Sequence, residues 1–166
     1  MNLHKLNIKP SPYDNRDWFA GSVYSNQLEL PNEIDHRLKL KLPRNQKDQG
    51  SCAAACIKEW QEKMDIEYDG YMSPQFIYNN RINQESDGMH CRDVMTILSK
   101  YGSCYENTYP YGIIESPDEI SKTVYDEAKN FKIKNYAKIN TIDELKKAFI
   151  NIIYHNYILY ILPTIF

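Results

Sequence analysis

Asn45-Gln46-Lys47-Asp48-Gln49-Gly50-Ser51-Cys52-Ala53-Ala54-Ala55-Cys56 is the stretch on which the fold turns. A polar, glycine-containing loop runs into a cysteine, and the cysteine opens a segment with helical periodicity. Ala53, Ala54 and Ala55 are strong helix formers, and Ile57, Trp60, Gln61 and Met64 recur at helical spacing, so a helix is expected over 51–65 with Ser51 as its N-cap. Main-chain N–H groups in a first helical turn have no intrahelical partners, and the helix dipole is positive there. A thiol so placed ionises more readily, and the thiolate is the reactive form. The same pattern also suits a small buried hydrophobe, which many cysteines are. The rest of the chain has to separate the two.

The 166 residues suffice for one domain with a proper core. A formal charge of -2 gives no electrostatic reason to expect nucleic acid or anionic membrane as a partner. With 25% charged and 13% aromatic residues the composition is globular. The N-terminal decapeptide has neither a continuous apolar run nor a small-residue cleavage site. Cys52, Cys56, Cys91 and Cys104 are therefore expected as thiols in a reducing, cytoplasmic setting rather than as a disulfide framework. The apolar stretch 152–166 is too short to span a bilayer and is interrupted by His155, Asn156 and Pro163; it reads as a buried strand.

Along the chain, residues 1–30 are rich in turn formers and read as an irregular lead-in. Residues 30–37 read as extended and 43–49 as loop. Ser73-Pro74 marks a second helix start, with serine as cap and proline at the first helical position. A third helix is expected from about Cys91 to Lys100, ended by Gly102. A Tyr- and Pro-rich turn follows at 107–112, then a short helical piece from Ser116-Pro117. Residues 131–139 alternate in part and read as a strand. Thr141 and Glu144 form a capping box before an amphipathic helix, and 157–162 reads as the next strand. Helices come first and strands late, which predicts an α+β fold.

Several of these segments resemble papain-like cysteine peptidases in order and spacing. Leu30-Pro31 and Ile34-Asp35-His36-Arg37 resemble the start of the mature enzymes. Gln46, six residues before Cys52, resembles the oxyanion-hole glutamine; Gln49-Gly50-Ser51-Cys52 resembles the nucleophile loop; Glu62 falls where the central helix carries a glutamate. The run from Ser73 to Tyr78 resembles the second helix. Gly88-Met89-His90-Cys91-Arg92-Asp93 and Gly102-Ser103-Cys104-Tyr105-Glu106, continuing to Tyr109-Pro110-Tyr111, resemble the substrate-groove region. This pattern, with Tyr13-Asp14-Asn15-Arg16-Asp17-Trp18 in the lead-in, is closer to the bacterial and large-virus branch than to lysosomal or plant enzymes. Aligning Gln49 with the oxyanion glutamine would instead put Ala55 at the nucleophile, but only the Gln46/Cys52 register needs no gap through Glu62.

The resemblance implies a papain-like fold with an irregular lead-in (1–30), a helical domain around the helix starting at Cys52 (31–130) and the beginning of a β domain (131–166). It implies Cys52 as the catalytic nucleophile, Gln46 as oxyanion donor, and Gly88 and Met89 as groove residues for a peptide or protein substrate, with no cofactor, metal or nucleic acid. It departs from the family at Ala53, where an aromatic is usual, and at Gln49, where secreted relatives carry a disulfide cysteine. The lead-in is shorter than an inhibitory pro-segment, so control by such a segment is expected to be absent. The family's histidine base and asparagine follow the cysteine by roughly 130–150 residues, beyond Phe166. The chain is thus expected to be truncated before them. His4, His36, His90 and His155 match no base position, and Cys52, Cys56, His90 and Cys91 fit no common zinc spacing. Three readings follow: a thioester-forming peptidase, a catalytically incomplete fragment that binds peptides or proteins, and a structural protein that keeps the fold without the chemistry.

Overall fold

The computed structural model describes residues 8–23, 32–33, 35, 45–55, 70–151 and 157–161. Expectations for residues 24–31, for His36, and for the helix beyond Ala55 (Cys56 and Glu62 included) lie outside them, as do His4 and His155.

The fold mixes helices with a few strands. In chain order the elements are β1 (Ile8–Lys9), α1 (Ala20–Val23), α2 (Cys52–Ala55), α3 (Pro74–Asn79), β2 (Met89–His90), α4 (Cys91–Lys100), α5 (Lys122–Ala128), β3 (Asn135–Ile139), α6 (Ile142–Asn151) and β4 (Tyr157–Ile161). Helix α3 starts as its sequence dictates: the Ser73 side chain accepts a hydrogen bond from the Phe76 N–H, and Pro74 loses nothing at a position whose N–H would have no helical partner. At the end of α4, Gly102 adopts φ +85 and its N–H reaches the Ile97 and Leu98 carbonyls. The Thr141/Glu144 box forms before α6, with the Glu144 N–H donating to Thr141 Oγ1 and the Thr141 N–H to Glu144 Oε2.

Two expectations are corrected here. Ser116 and Glu119 do bond reciprocally, Ser116 N–H and Oγ to Glu119 Oε2, but this closes one turn rather than starting a helix. The helix, α5, restarts after Ser121 because Ile120 is drawn into the core and ends the turn. The alternating segment 131–139 is strand only from Asn135, because residues Lys129–Phe131 continue α5 as a 3-10 turn.

Strands β3 and β4 pair in parallel, Asn135 opposite Tyr157 through Ile139 opposite Ile161, with α6 as the crossover that a parallel pair requires. The lead-in is more ordered than its composition suggests. Strand β1 pairs in parallel with β2, Ile8 opposite Met89, and Phe19 bridges to Lys138 beside β3. Where the lead-in crosses α4, Arg92 forks onto Asp17, with Nε at 3.0 Å and Nη2 at 2.5 Å from the two carboxylate oxygens, and its Nη1 donates to the Pro12 carbonyl.

The main core joins α2, α3, α4 and α5 through Ala53, Ala54, Phe76, Ile77, Val94, Leu98 and Val124; a smaller one joins α1, β3 and α6 through Ala20, Ala137, Ile139 and Ala148. Much of the tyrosine content sits on the main core. The Tyr125 and Tyr109 rings stand edge-on to Phe76, and their hydroxyls donate to Asn80 Oδ1 and Glu115 Oε1. Ring burial with a satisfied hydroxyl is what tyrosine offers over phenylalanine at such places.

Candidate active site

Residues 45–51 make a tightly folded loop. The Lys47 N–H donates to Asn45 Oδ1, the Gln49 N–H to the Gln46 carbonyl and the Ser51 N–H to the Gln49 carbonyl. Lys47 has φ +53, a left-handed conformation that a non-glycine residue adopts at a cost of about 1–2 kcal/mol. Something outside the loop must therefore hold it. The first helical hydrogen bond, Ala55 N–H to the Ser51 carbonyl, sets Ser51 at the N-cap and Cys52 at the first position of α2, as the sequence predicts. The Ser51 hydroxyl, however, faces Tyr111 rather than capping the helix: Ser51 Oγ lies 2.8 Å from Tyr111 Oη, which in turn donates to the Gln46 carbonyl at 2.7 Å.

A second support comes from Gln75, fully buried in α3. Its Oε1 accepts from Gln49 Nε2 at 3.0 Å and from the Gly112 N–H at 2.9 Å, while its Nε2 donates to Asn79 Oδ1 at 2.7 Å. Asn79 then donates to Tyr109 Oη and to the Ile113 carbonyl, and the Tyr109 carbonyl accepts from Ser73 Oγ. A chain of amides and phenols thus connects the 45–51 loop to α3 through the Tyr109-Pro110-Tyr111-Gly112 turn. Sequence reasoning singled out Gln46 and Cys52 by spacing but did not single out Ser51, Gln75 and Tyr111 as supports of this loop. One available signal was a glutamine in a run otherwise apolar from Pro74 to Tyr78.

Of the residues singled out from sequence, Cys52 and Gln46 lie at the two ends of this loop, both half-buried. Helix α2 packs against β2 and α4, which brings residues 89–91 to the Cys52 side of the core. Gly88 is buried at φ +82, and the Met89 side chain is fully buried in the main core while its main chain pairs with Ile8. His90, the one histidine among the described residues, lies 2.8 Å through Nδ1 from the Pro10 carbonyl. A cavity of about 410 Å³ opens elsewhere, between the lead-in, α4 and β3, lined by Arg16, Trp18, Arg92 and Tyr136 among others but by none of the four site residues.

The Cys91 and Cys104 thiols are held protonated. Burial raises the Cys91 thiol, with negative charge on Cys52 and then Asp93 adding to the effect. Burial, helped by the Glu127 carboxylate, pushes the Cys104 thiol up to about 12 from 9.0. Tyr109 is also raised, by burial first and then by its hydrogen bond to Glu115. These groups bind protons more tightly folded than unfolded. Their contribution to stability is complete below about pH 9 and is lost as pH climbs toward 12. The urea midpoint is expected to be flat from pH 7 to 9 and to fall above it, with a shallower fall in Cys104→Ala. An unchanged slope in that variant would assign the alkaline loss to other groups.

Among the described residues, no group of three His, Cys, Asp or Glu side chains could hold a metal ion, and no helix is long and apolar enough to cross a membrane.

No protein-family model matches the chain, and no curated protein does. Among solved structures the chain is similar to xylellain, a cysteine protease from Xylella fastidiosa, at 25% sequence identity and a TM-score of 0.69. The match covers 89% of this chain and 65% of that one, so the chain spans a little under two thirds of the protease's length. The similarity supports a papain-like cysteine peptidase fold.

Proposed function

We propose that the chain carries the nucleophile loop and one groove wall of a cysteine-type peptidase, with a peptide or protein as substrate. The observation that carries this reading is the braced loop with Gln46 at one end and Cys52 at the other, the cysteine beginning a helix packed into the core, in a chain similar to a cysteine protease. In this reading the Cys52 thiolate attacks the scissile carbonyl carbon. The carbonyl π electrons move to oxygen, and the resulting oxyanion takes hydrogen bonds from the Gln46 amide and the Cys52 main-chain N–H. Collapse breaks the C–N bond and expels the amine, which takes a proton from solvent, and leaves a thioester on Cys52; water adds to it, and the carboxylic acid departs as the C–S bond breaks and the sulfur is released. Gly88 and Met89 contribute to the groove through their main chain, since the Met89 side chain is committed to the core.

A second reading, a module that binds peptides without cleaving them, is favoured by one observation: His90, the one histidine among the described residues, matches no base position and bonds the lead-in through the Pro10 carbonyl. Treatment of the full chain with a peptidyl vinyl sulfone, followed by peptide mapping, tests the first. The adduct is expected on Cys52, in large excess over Cys56, Cys91 and Cys104, and absent from Cys52→Ala. Equal labelling of the four cysteines would overturn the nucleophile assignment. Labelling of Cys52 without turnover of any fluorogenic peptide would favour the second reading.

A further inference from the structure

We propose that Tyr111 is a positioning residue for the Cys52 site, setting the place of the oxyanion-side glutamine relative to the nucleophile; the inference rests on the peptidase reading above. A phenol has one proton to give. Tyr111 Oη gives it to the Gln46 carbonyl at 2.7 Å, so at 2.8 Å from Ser51 Oγ the serine is the donor and the phenol oxygen the acceptor. One hydroxyl thereby ties the main chain of Gln46 to the residue that immediately precedes Cys52. The Gln46 carbonyl also accepts from the Gln49 N–H, so the loop's own turn and the external phenol converge on the same oxygen.

The phenol is itself held at a known place. The Gly112 N–H, one residue on, is bonded to Gln75 Oε1, and Gln75 Oε1 also takes Gln49 Nε2. Loop and tyrosine are thus referred to one buried carbonyl on α3. Without the phenol, the segment from Gln46 to Ser51 keeps its internal turns and the Gln49 bond but loses the contact that joins its two ends. Lys47, at φ +53, gives that segment a conformation to relax from. Displacement of an oxyanion donor matters only for chemistry that develops charge on oxygen, and small misplacements there are costly.

The test compares two probes on the full chain. A peptidyl aldehyde forms a hemithioacetal: a C–S bond is made, the carbonyl π pair goes to oxygen, and that oxygen takes up the thiol proton, so nothing leaves. This addition uses the oxyanion site. Iodoacetamide alkylates the same sulfur by displacing iodide and uses no oxyanion site. Tyr111→Phe is expected to weaken aldehyde affinity about tenfold while leaving the Cys52 alkylation rate within about twofold. In a Gln46→Ala background, Tyr111→Phe is expected to cause no further loss. Ser51→Ala, which removes the other half of the tie, should show the same split at smaller size, and carries the test if Tyr111→Phe proves poorly folded by circular dichroism.

Wild-type affinity in Tyr111→Phe, beside lost affinity in Gln46→Ala, would overturn the positioning role and leave the peptidase reading intact. Equal loss with both probes would make Tyr111 merely structural and overturn it too. Failure of the wild-type chain to capture the aldehyde on Cys52 would remove the peptidase reading, and this inference with it.

Discussion

Gly102→Ala is expected to cost at least about 3 kcal/mol of stability and lower the melting temperature by about 10 °C. Two effects combine. Gly102 sits at φ +85, where an L side chain is strained by about 1–2 kcal/mol. The added Cβ would also lie 1.9 Å from the Ala128 carbonyl oxygen and 3.0 Å from the Phe131 oxygen. Both neighbours are main chain, at the end of α5 and in the turn that follows it, so no side chain can swing aside. Relief requires separating α4 from α5, and with it part of the packing around Leu98, Val124 and Ala128. Gly112→Ala is the matching control: its φ is +100, but nothing lies within 4 Å of the new Cβ, so only the backbone term of about 1–2 kcal/mol remains. Urea unfolding followed by circular dichroism measures both. A Gly102→Ala loss no larger than that of Gly112→Ala would show that the helix ends separate without penalty.

Asp17→Ala is expected to cost about 3–5 kcal/mol, the scale for stripping one partner from a buried ion pair. The Asp17 and Arg92 side chains are 4% and 15% exposed, and Lys138 Nζ stands 3.9 Å from the same carboxylate. Removing Asp17 takes from the Arg92 guanidinium and the Lys138 ammonium the carboxylate that they share. The loss comes from the stranded charge, not from the pair as such, so replacing both partners with apolar residues, Asp17→Leu with Arg92→Met, should recover part of the stability, the Lys138 ammonium being the charge that remains. Asp17→Asn, which keeps the shape and one acceptor, should fall between. Denaturant midpoints of the four proteins decide the point; a double variant as weak as Asp17→Ala would mean that the fork's hydrogen-bond geometry, rather than charge balance, holds the lead-in.

These sites also show what could be read from sequence. Ser73-Pro74, the Thr141/Glu144 box and Gly102 announce themselves because donor, acceptor or required φ lies within a few residues. The parallel β3–β4 pair was foreshadowed only as two strands flanking a helix. Asp17 and Arg92 each fell inside a stretch that resembled papain-like peptidases, yet nothing local says that the two meet: they are 75 residues apart. The lead-in read as irregular for the same reason, since β1 is two residues long and owes its extended form to Met89 and His90. At the candidate site, the loop at Gln46 and the helix start at Cys52 were legible from the loop-to-helix pattern. The Tyr111 tie was not, because it closes over 65 residues through a single hydroxyl.

The stitching of the lead-in to α4 also bears on how the chain acquires its structure. Contacts from Pro10, Ser11 and Pro12 to His90 and Arg92 span 80 or 81 residues. Closing so long a loop adds only about 0.6 kcal/mol per doubling of length, yet that cost comes before the contacts return anything. Helices α3, α4 and α5 are joined by much shorter connections and can assemble first. During synthesis the lead-in emerges well before residues 89–92 and docks late: it waits until those residues have left the ribosome.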